Sequence, residues 1–287
     1  MKKRNSKSKY RILVLMDPNQ KSYSALINAV NLAKAIDGTI SVFQVKLPTG
    51  IVKNENQISA LRAIKQERKA TRKKLHNIMN LVSEVENIPI NYAFSFGNVK
   101  NEIKLHLQQT KPDIVVLGKK KQKLINLLGD GITKFLLANH SGAILINGGN
   151  KNLLANTGIS LGFYSDTLNN HDLEITKALS KRTTAPVKIF SVRKRVGSNE
   201  EKVILKRLKS DPNVQNMIEY EFEESVSALD GLASYVLKNS IGVLCVGRGS
   251  KRKGWSDRLI GDVSKVHHSI QKLNVPLLVL GDREYTV

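Results

Sequence analysis

The feature that most constrains this chain is a segment that occurs twice. The first copy is VVLGKKKQKLINLLGDGITKF, residues 115–135, and the second is VLCVGRGSKRKGWSDRLIGDVSKV, residues 243–266. In each copy an apolar run ends at a glycine, Gly118 or Gly247, as strands of a parallel sheet do where they deliver loops to a ligand crevice. The repeat therefore predicts two halves that fold alike.

Each copy also carries a second glycine, Gly129 or Gly261, just before the start of a predicted helix. The free N–H groups and the dipole of a helix N-terminus favour an anion. The loops between the two glycines are rich in cations: Lys119, Lys120, Lys121 and Lys123 in the first copy, and Arg248, Lys251, Arg252, Lys253 and Arg258 in the second. Strand, glycine loop and helix start together predict a phosphate site in each half.

Apolar runs alternate with helical patterns along the whole chain. The predicted strands are YRILVLMD, TISVFQV, PINYAFSFGNV, DIVVLG and AILIN, then ISLGFYSD, VKIFSV, MIEYEFEE, VLCVG and LLVLGD. Such alternation is typical of doubly wound, Rossmann-like α/β domains with right-handed crossovers. We therefore expect two domains, residues 1–148 and 157–287, each with a mostly parallel five-stranded sheet in the order 3-2-1-4-5.

The chain is strongly basic. Its formal net charge at pH 7 is +22, from 46 Lys and Arg against 24 Asp and Glu. A field of this size attracts nucleic acid, anionic lipid surfaces or acidic proteins. There is no apolar run of 18 or more residues and no signal-peptide pattern, so we expect a cytoplasmic protein without a transmembrane segment.

The longest helical pattern, residues 52–85, carries the densest positive charge. Its cations are Arg62, Lys65, Arg68, Lys69, Arg72, Lys73 and Lys74, and Glu67 is the only acid between Asn56 and Ser83. One interpretation is a solvated face that keeps the protein soluble. The other is that the Arg62 to Lys74 helix docks a polyanion or an acidic protein, for example a nucleic acid.

The sequence lacks the motifs of the common catalytic centres. His267 and His268 are adjacent on a predicted helix, so they point to different faces rather than to a shared metal ion. No Gly-x-Ser-x-Gly elbow, paired-cysteine motif or Walker Gly-Lys-Ser/Thr occurs, and the one cysteine, Cys245, lies inside an apolar strand. We therefore identify no catalytic residue and no metal ligand, and binding is favoured over catalysis.

The repeated segment resembles the ATP-binding motif of the universal stress protein family, Gly-x2-Gly-x9-Gly-Ser/Thr, and the chain looks like a tandem member with two family domains. The resemblance implies the adenine-nucleotide alpha-hydrolase-like fold and a site for ATP or AMP. It also implies an intramolecular pseudo-dimer, because family members pair through their fifth strands. Carried over to this sequence, the adenosine and phosphate positions are Asp17, Val45, Gly97, Gly118, Lys119, Gly129 and Asp130 in the first half, and Asp166, Val192, Gly247, Ser250, Gly261 and Asp262 in the second.

The chain departs from the family motif in both halves. The middle glycine is replaced by Lys121 or Ser250, and the terminal hydroxyl by Asp130 or Asp262. The glycine spacing is 11 positions in the first copy (118 to 129) and 14 in the second (247 to 261), where the motif has 13; Gly131 would restore 13 in the first copy. For Asp17, a role as a turn or helix-cap residue is the alternative to a ligand role.

The aspartates predict weakened nucleotide binding. We expect the Asp130 and Asp262 carboxylates to cap the last helix of each half, where they would occupy the space of a phosphate and repel it. The sequence thus predicts a regulatory binding module of the stress response with degenerate adenine-nucleotide sites. A slow ATPase and a basic nucleic-acid-binding protein are the alternatives.

Overall fold

The computed structural model contains a single sheet of ten strands with helices on both faces. It describes residues 10–16, 23–47, 57–118, 131–147, 160–164, 173–181, 183, 186–193, 210, 216–223, 234–236, 238, 241–248 and 275–281. Within these ranges no helix is long and apolar enough to cross a membrane.

Over its described residues, the first half contributes five parallel strands and four helices. In chain order they are β1 (Tyr10–Met16), α1 (Tyr23–Ile36), β2 (Gly38–Lys46), α2 (Gln57–Glu86), β3 (Ile90–Phe96), α3 (Val99–Thr110), β4 (Ile114–Leu117), α4 (Ile132–Asn139) and β5 (Ala143–Ile146). Their order in the sheet is β3-β2-β1-β4-β5, and every neighbouring pair is parallel. This half therefore has the predicted 3-2-1-4-5 order.

The second half repeats that order in its strands. The described elements are β6 (Leu161–Tyr164), α5 (Leu173–Ser180), β7 (Val187–Arg193), β8 (Met217–Glu223), β9 (Val243–Val246) and β10 (Leu277–Val279). They lie in the order β10-β9-β6-β7-β8, again with parallel neighbours. Relative to chain order this is also 3-2-1-4-5.

The two halves join through their fifth strands, as expected. Strand β10 pairs with β5 in antiparallel register, with Leu277 opposite Ile146 and Val279 opposite Ile144. Both strands are short, apolar and buried, so an unpaired edge here would expose backbone groups and apolar side chains together. The two expected five-stranded sheets are therefore the two parts of one continuous ten-stranded sheet. The proposed boundaries at 148 and 157 lie outside the described residues.

Each face of the sheet carries a core layer that runs across both halves. One layer contains Ile12 and Val14 of β1 together with Phe163 of β6, and helices α1, α2 and α5 pack on it. The other contains Leu13 of β1 and Leu244 of β9, with α3 and α4. Neighbouring residues of one strand thus serve opposite layers, which follows from the two-residue period of a strand.

A buried arginine ties the second half to the first. Arg248, just after β9, is only 4% exposed. Its guanidinium donates hydrogen bonds to the carbonyl oxygens of His140 (2.5 Å), Gly142 (2.7 Å) and, more weakly, Leu137 (3.4 Å). These carbonyls belong to the C-terminal end of α4 and the approach to β5. The negative end of the helix dipole and the oxygen cluster compensate the buried positive charge.

We predict that Arg248→Met destabilises the protein by about 3 kcal/mol, because it removes charge-assisted hydrogen bonds and leaves buried carbonyls without this donor. Urea unfolding followed by circular dichroism measures the change. Arg62→Met, on the exposed face of α2, is the matched control and should shift the unfolding free energy by less than about 0.5 kcal/mol. Equal losses of unfolding free energy in the two variants would contradict a stabilising role of Arg248 between the halves.

A second prediction concerns Gly281, which follows β10 and lies against the backbone that leads into β5. A Cβ atom placed on Gly281 would collide with the Ser141 carbonyl oxygen and lie 2.8 Å from the Gly142 Cα. Backbone atoms cannot give way as side-chain ends do, so Gly281→Ala should cost about 1–3 kcal/mol of unfolding free energy.

The control for this change is Gly242→Ala, because a Cβ there would meet the Ser160 carbonyl oxygen at a milder 3.2 Å. Thermal unfolding of both variants should show the larger loss for Gly281→Ala. A fully stable Gly281→Ala would mean that the two halves are less closely joined than the structure shows.

Candidate functional site

The carboxyl ends of β1 and β4 lie side by side where the strand order reverses. Leu15 of β1 is opposite Leu117 of β4, so the next residue of β4, Gly118, lies beside the end of β1. The chain leaves β1 toward α1 and leaves β4 toward α4, in opposite directions across the sheet. Such a switch point opens a crevice for ligands in doubly wound sheets. Gly118 is found at this crevice, whereas Asp17 and Lys119 lie outside the described residues.

The neighbouring strands β2 and β3 extend the same edge. Val45 pairs in register with Ser95, and the Gly97 N–H donates a 3.0 Å hydrogen bond to the Lys46 carbonyl. Val45 is buried at 7% exposure. The structure therefore brings Val45, Gly97 and Gly118 to one edge of the sheet.

Gly97 lies under an acidic side chain that the sequence reasoning missed. A Cβ atom on Gly97 would lie 2.7 Å from Oε1 of Glu102, and the other carboxylate oxygen of Glu102 accepts a 2.6 Å hydrogen bond from the Ser95 hydroxyl. A larger residue at position 97 would therefore displace the Glu102 side chain. The position of Glu102, one turn into the helix that follows Gly97, was the sequence feature that could have predicted this contact.

The turn after Gly97 opens helix α3. Asn98 is the N-cap, and its side-chain oxygen accepts hydrogen bonds from the N–H groups of Lys100 (3.1 Å) and Asn101 (3.3 Å). Val99 is therefore the first helical residue, which is a favoured position for proline. Valine occupies this position without loss of the cap.

The start of α4 corrects the predicted cap. The N-cap is Gly131, with φ 68° and ψ −7°, and its carbonyl accepts a 3.0 Å hydrogen bond from the Phe135 N–H. Asp130 precedes the N-cap by one position and Gly129 by two, and both lie outside the described residues. The reason is conformational, because glycine adopts the left-handed region without the steric cost that an aspartate pays.

This cap also changes the alignment with the family motif. Gly131 lies 13 positions after Gly118, the spacing of the motif, whereas Gly129 lies 11 after it. With Gly131 as the last glycine, the hydroxyl position of the motif falls on Ile132 rather than on Asp130. The first-half site therefore lacks a hydroxyl at that position.

A lysine from α3 lies beside the N-terminus of α4. A Cβ atom on Gly131 would lie 2.9 Å from Nζ of Lys100 and 3.3 Å from its Cε. Lys100 is the second residue of α3, so two helix starts and one exposed ammonium group meet at this edge. The sequence reasoning missed Lys100, because only the packing of α3 beside α4 brings it to the N-cap of α4.

A buried polar contact holds α1 over the same edge. Asn28 of α1 donates a side-chain hydrogen bond to Asn147, which in turn donates to the Ser24 hydroxyl at 2.8 Å. Asn28 is completely buried and Asn147 is 1% exposed. Asn147 directly follows β5, and its backbone N–H donates a 2.9 Å hydrogen bond to the Leu117 carbonyl. The first turns of α1 are thereby fixed relative to the ends of β4 and β5.

The second half has the same strand geometry at its switch point. Tyr164 of β6 is opposite Val246 of β9, so Gly247 lies beside the end of β6. Val192 lies in β7 opposite Phe222. The other predicted positions, Asp166, Ser250, Gly261 and Asp262, lie outside the described residues. One prediction is wrong here: Arg248 was counted among the cations of the second loop, but its buried guanidinium binds carbonyls of the first half.

The side chains with a shifted pKa lie away from the crevice of the first half. Burial raises the pKa of Tyr10 to about 12. The Arg11 side chain donates a hydrogen bond to Asp113, which raises the pKa of Arg11. Tyr10 and Arg11 start β1, at the opposite edge of the sheet. Burial lowers the pKa of His106, which stacks on Phe43 with ring centroids 3.9 Å apart. Within the described residues no cluster of three or more His, Cys, Asp and Glu could hold a metal ion.

Comparison with known structures shows the same fold. A universal stress protein from Archaeoglobus fulgidus DSM 4304 has a TM-score of 0.69 at 12% identity, covering 96% of this chain and 98% of that one. A functionally unknown protein from Pseudomonas aeruginosa PAO1 has a TM-score of 0.57 at 15% identity, covering 97% and 95%. The cytoplasmic domain of a prokaryotic cation chloride cotransporter has a TM-score of 0.51 at 11% identity, covering 96% of both chains.

Sequence comparison identifies the first half. No curated protein matches the chain. The model of the universal stress protein family matches residues 10–145, from the first residue of β1 to the third residue of β5. The match thus spans the whole first half of the sheet, including the crevice at β1 and β4. Residues 10–145 are a domain of the universal stress protein family.

Proposed function

We propose that the chain is a regulatory binding module of the stress response whose crevice at β1 and β4 takes an adenine nucleotide, ATP or AMP, with weak affinity. The observation that carries the proposal is the meeting of three groups at one edge: Gly118 at the end of β4, the α4 N-terminus at Gly131, and the Lys100 ammonium beside it. A helix N-terminus and a lysine both favour phosphate oxygens. The adenosine would extend from there toward Val45 and Gly97.

The same edge offers an acceptor for the sugar. Glu102 lies over Gly97 with one carboxylate oxygen bonded to Ser95. An acidic residue near the end of a neighbouring strand accepts hydrogen bonds from ribose hydroxyls in other dinucleotide-binding sheets. We assign this role to Glu102, and the phosphate role to Lys100.

The composition of the loop limits the affinity. Lys121 stands where the family motif has a glycine, so it can offer charge but not close backbone approach. Asp130 places a negative charge one residue before the N-cap of α4. We propose binding without turnover because the sequence contains none of the common catalytic motifs.

We further propose that residues 157–287 are a second, more degenerate domain of the same family, so that the chain forms its own pseudo-dimer. Support comes from the strand order, from Gly247 at the end of β9, and from the antiparallel β5 and β10 pair. The second site has lost the Arg248 guanidinium to the contact between the halves. The first site should therefore dominate nucleotide binding.

The proposal is tested with Lys100→Gln. If Lys100 binds phosphate, this change should weaken the affinity for ATP about tenfold, close to 1.4 kcal/mol. Isothermal titration calorimetry with magnesium and ATP measures it. Lys104→Gln is the matched control, because Lys104 is exposed on the next turn of α3 and should leave the affinity unchanged.

Two further measurements complete this test. Mass spectrometry of small molecules released from the purified protein should find an adenine nucleotide, and Gly118→Trp should remove it. Failure of the wild-type protein to bind any adenine nucleotide would overturn the proposal. Steady phosphate release from ATP that Gly118→Trp abolishes would replace the binding role by a slow ATPase.

A separate prediction concerns Asp130. Asp130→Ser removes a negative charge next to the start of α4, so it should strengthen ATP binding by about 1 kcal/mol, roughly fivefold. Asp113→Ser is not a suitable control because Asp113 pairs with Arg11. Glu84→Ser on the exposed C-terminal half of α2 is suitable and should have no effect. Unchanged affinity in Asp130→Ser would show that the lysines alone determine phosphate binding.

A further inference from the structure

Helix α2 continues past the sheet and carries a row of free cations. The last residue of β2, Lys46, contacts α2 at Glu67 (2.6 Å) and Thr71 (2.7 Å), and the last residue of β3, Phe96, lies under the Arg68 guanidinium. Strand β2 ends at this level, so residues 57–66 extend about 15 Å beyond the carboxyl edge of β2 and β3. None of the residues 58–66 is buried.

The cations fall on one stripe of this helix. Arg62, Lys65, Lys69 and the adjacent pair Arg72 and Lys73 follow one another at intervals of three or four residues. All five therefore share one side of the helix over about 17 Å. All five side chains are exposed. Among the residues that the structure describes, none of the five forms a hydrogen bond or an ion pair. We call this row the α2 stripe.

Two other charged side chains of this part of α2 make contacts within the protein. Glu67, the only acid of the segment, pairs with Lys46, and Arg68 lies 5.8 Å from the centre of the Phe96 ring. The α2 stripe therefore faces solvent without a compensating carboxylate on its own helix. Together with the net charge of +22, it makes a concentrated positive field on an exposed helical segment.

We propose that the α2 stripe binds the phosphate backbone of a nucleic-acid duplex. An α-helix of 10–12 Å diameter matches the roughly 12 Å width of the major groove, and a row of Lys and Arg contacts phosphates without reading sequence. The 5% aromatic content offers few rings for stacking single-stranded bases, which favours a duplex.

The packing of α2 distinguishes a duplex from a membrane surface. An interfacial helix must lower its apolar face into the lipid. The apolar face of α2 is already covered, since Leu75, Met79 and Val82 are buried, with Met79 and Val82 in the core layer that α1 also covers. Only Ile58 and Leu61, in the first turns, remain exposed as large apolar side chains on the extension.

Binding to a fluorescent 25-base-pair DNA duplex, followed by anisotropy between 50 and 200 mM salt, tests the proposal on the full chain. We expect log affinity to fall with log salt with a slope of about −4 to −5, as five neutralised phosphates require. The triple variant Arg62→Gln, Lys65→Gln, Lys69→Gln should lose at least tenfold in affinity at low salt and about 2 to 3 units of slope.

The control variant removes the same charge from exposed lysines elsewhere: Lys104→Gln, Lys181→Gln, Lys238→Gln. It should keep most of the affinity, and Arg62→Lys with Lys69→Arg should keep all of it, because the stripe acts through charge. An equal loss in both triple variants would overturn the proposal in favour of diffuse net charge. Absence of duplex binding at 50 mM salt would also overturn the proposal. So would a triple variant of the α2 stripe that loses binding to anionic phosphatidylserine vesicles but keeps its binding to DNA.

Discussion

The antiparallel pairing of β5 with β10 is the contact on which the rest of the architecture depends. Each half alone would end in a short apolar strand with open hydrogen-bonding groups. Pairing satisfies both edges at once and extends each core layer across the whole sheet. The buried Arg248 reinforces the same joint by binding the carbonyls before β5. A universal stress protein domain at residues 10–145 is thus completed by a partner from its own chain.

The direction of that pairing sets where ligands can bind. All strands within a half are parallel, and β5 and β10 run in opposite directions, so the carboxyl edges of the two halves lie on opposite sides of the sheet. The crevices at Gly118 and Gly247 are therefore separated rather than shared. The antiparallel pairing also explains why Arg248 reaches the first half, because the end of β9 lies level with the start of β5. A residue that comes directly after Gly247 can therefore reach the first half only at its amino edge.

The cations of this protein fall into two groups, those that bind other groups of the fold and those that are exposed to solvent. Some cations are paired within the fold: Arg248 donates hydrogen bonds to backbone carbonyls, and Lys46 forms an ion pair with Glu67. Lys100 lies beside the N-cap of α4. The five cations of the α2 stripe are exposed and form no hydrogen bond or ion pair with the described residues. A single value of net charge cannot separate these roles, since desolvation and partner geometry decide what each cation does.

Much of the fold follows from the sequence, because the alternation of apolar strands with helical patterns is a local signal and right-handed crossovers leave few ways to order five parallel strands. Local signals also placed Gly118 and Gly247 at strand ends. The helix cap at Gly131, the approach of Lys100 to it and the burial of Arg248 depended on the tertiary structure. Each is set by contacts between residues distant in sequence: α3 beside α4 for Lys100, and the joint between the halves for Arg248. A residue pattern specifies which groups are present, whereas only packing specifies which groups meet.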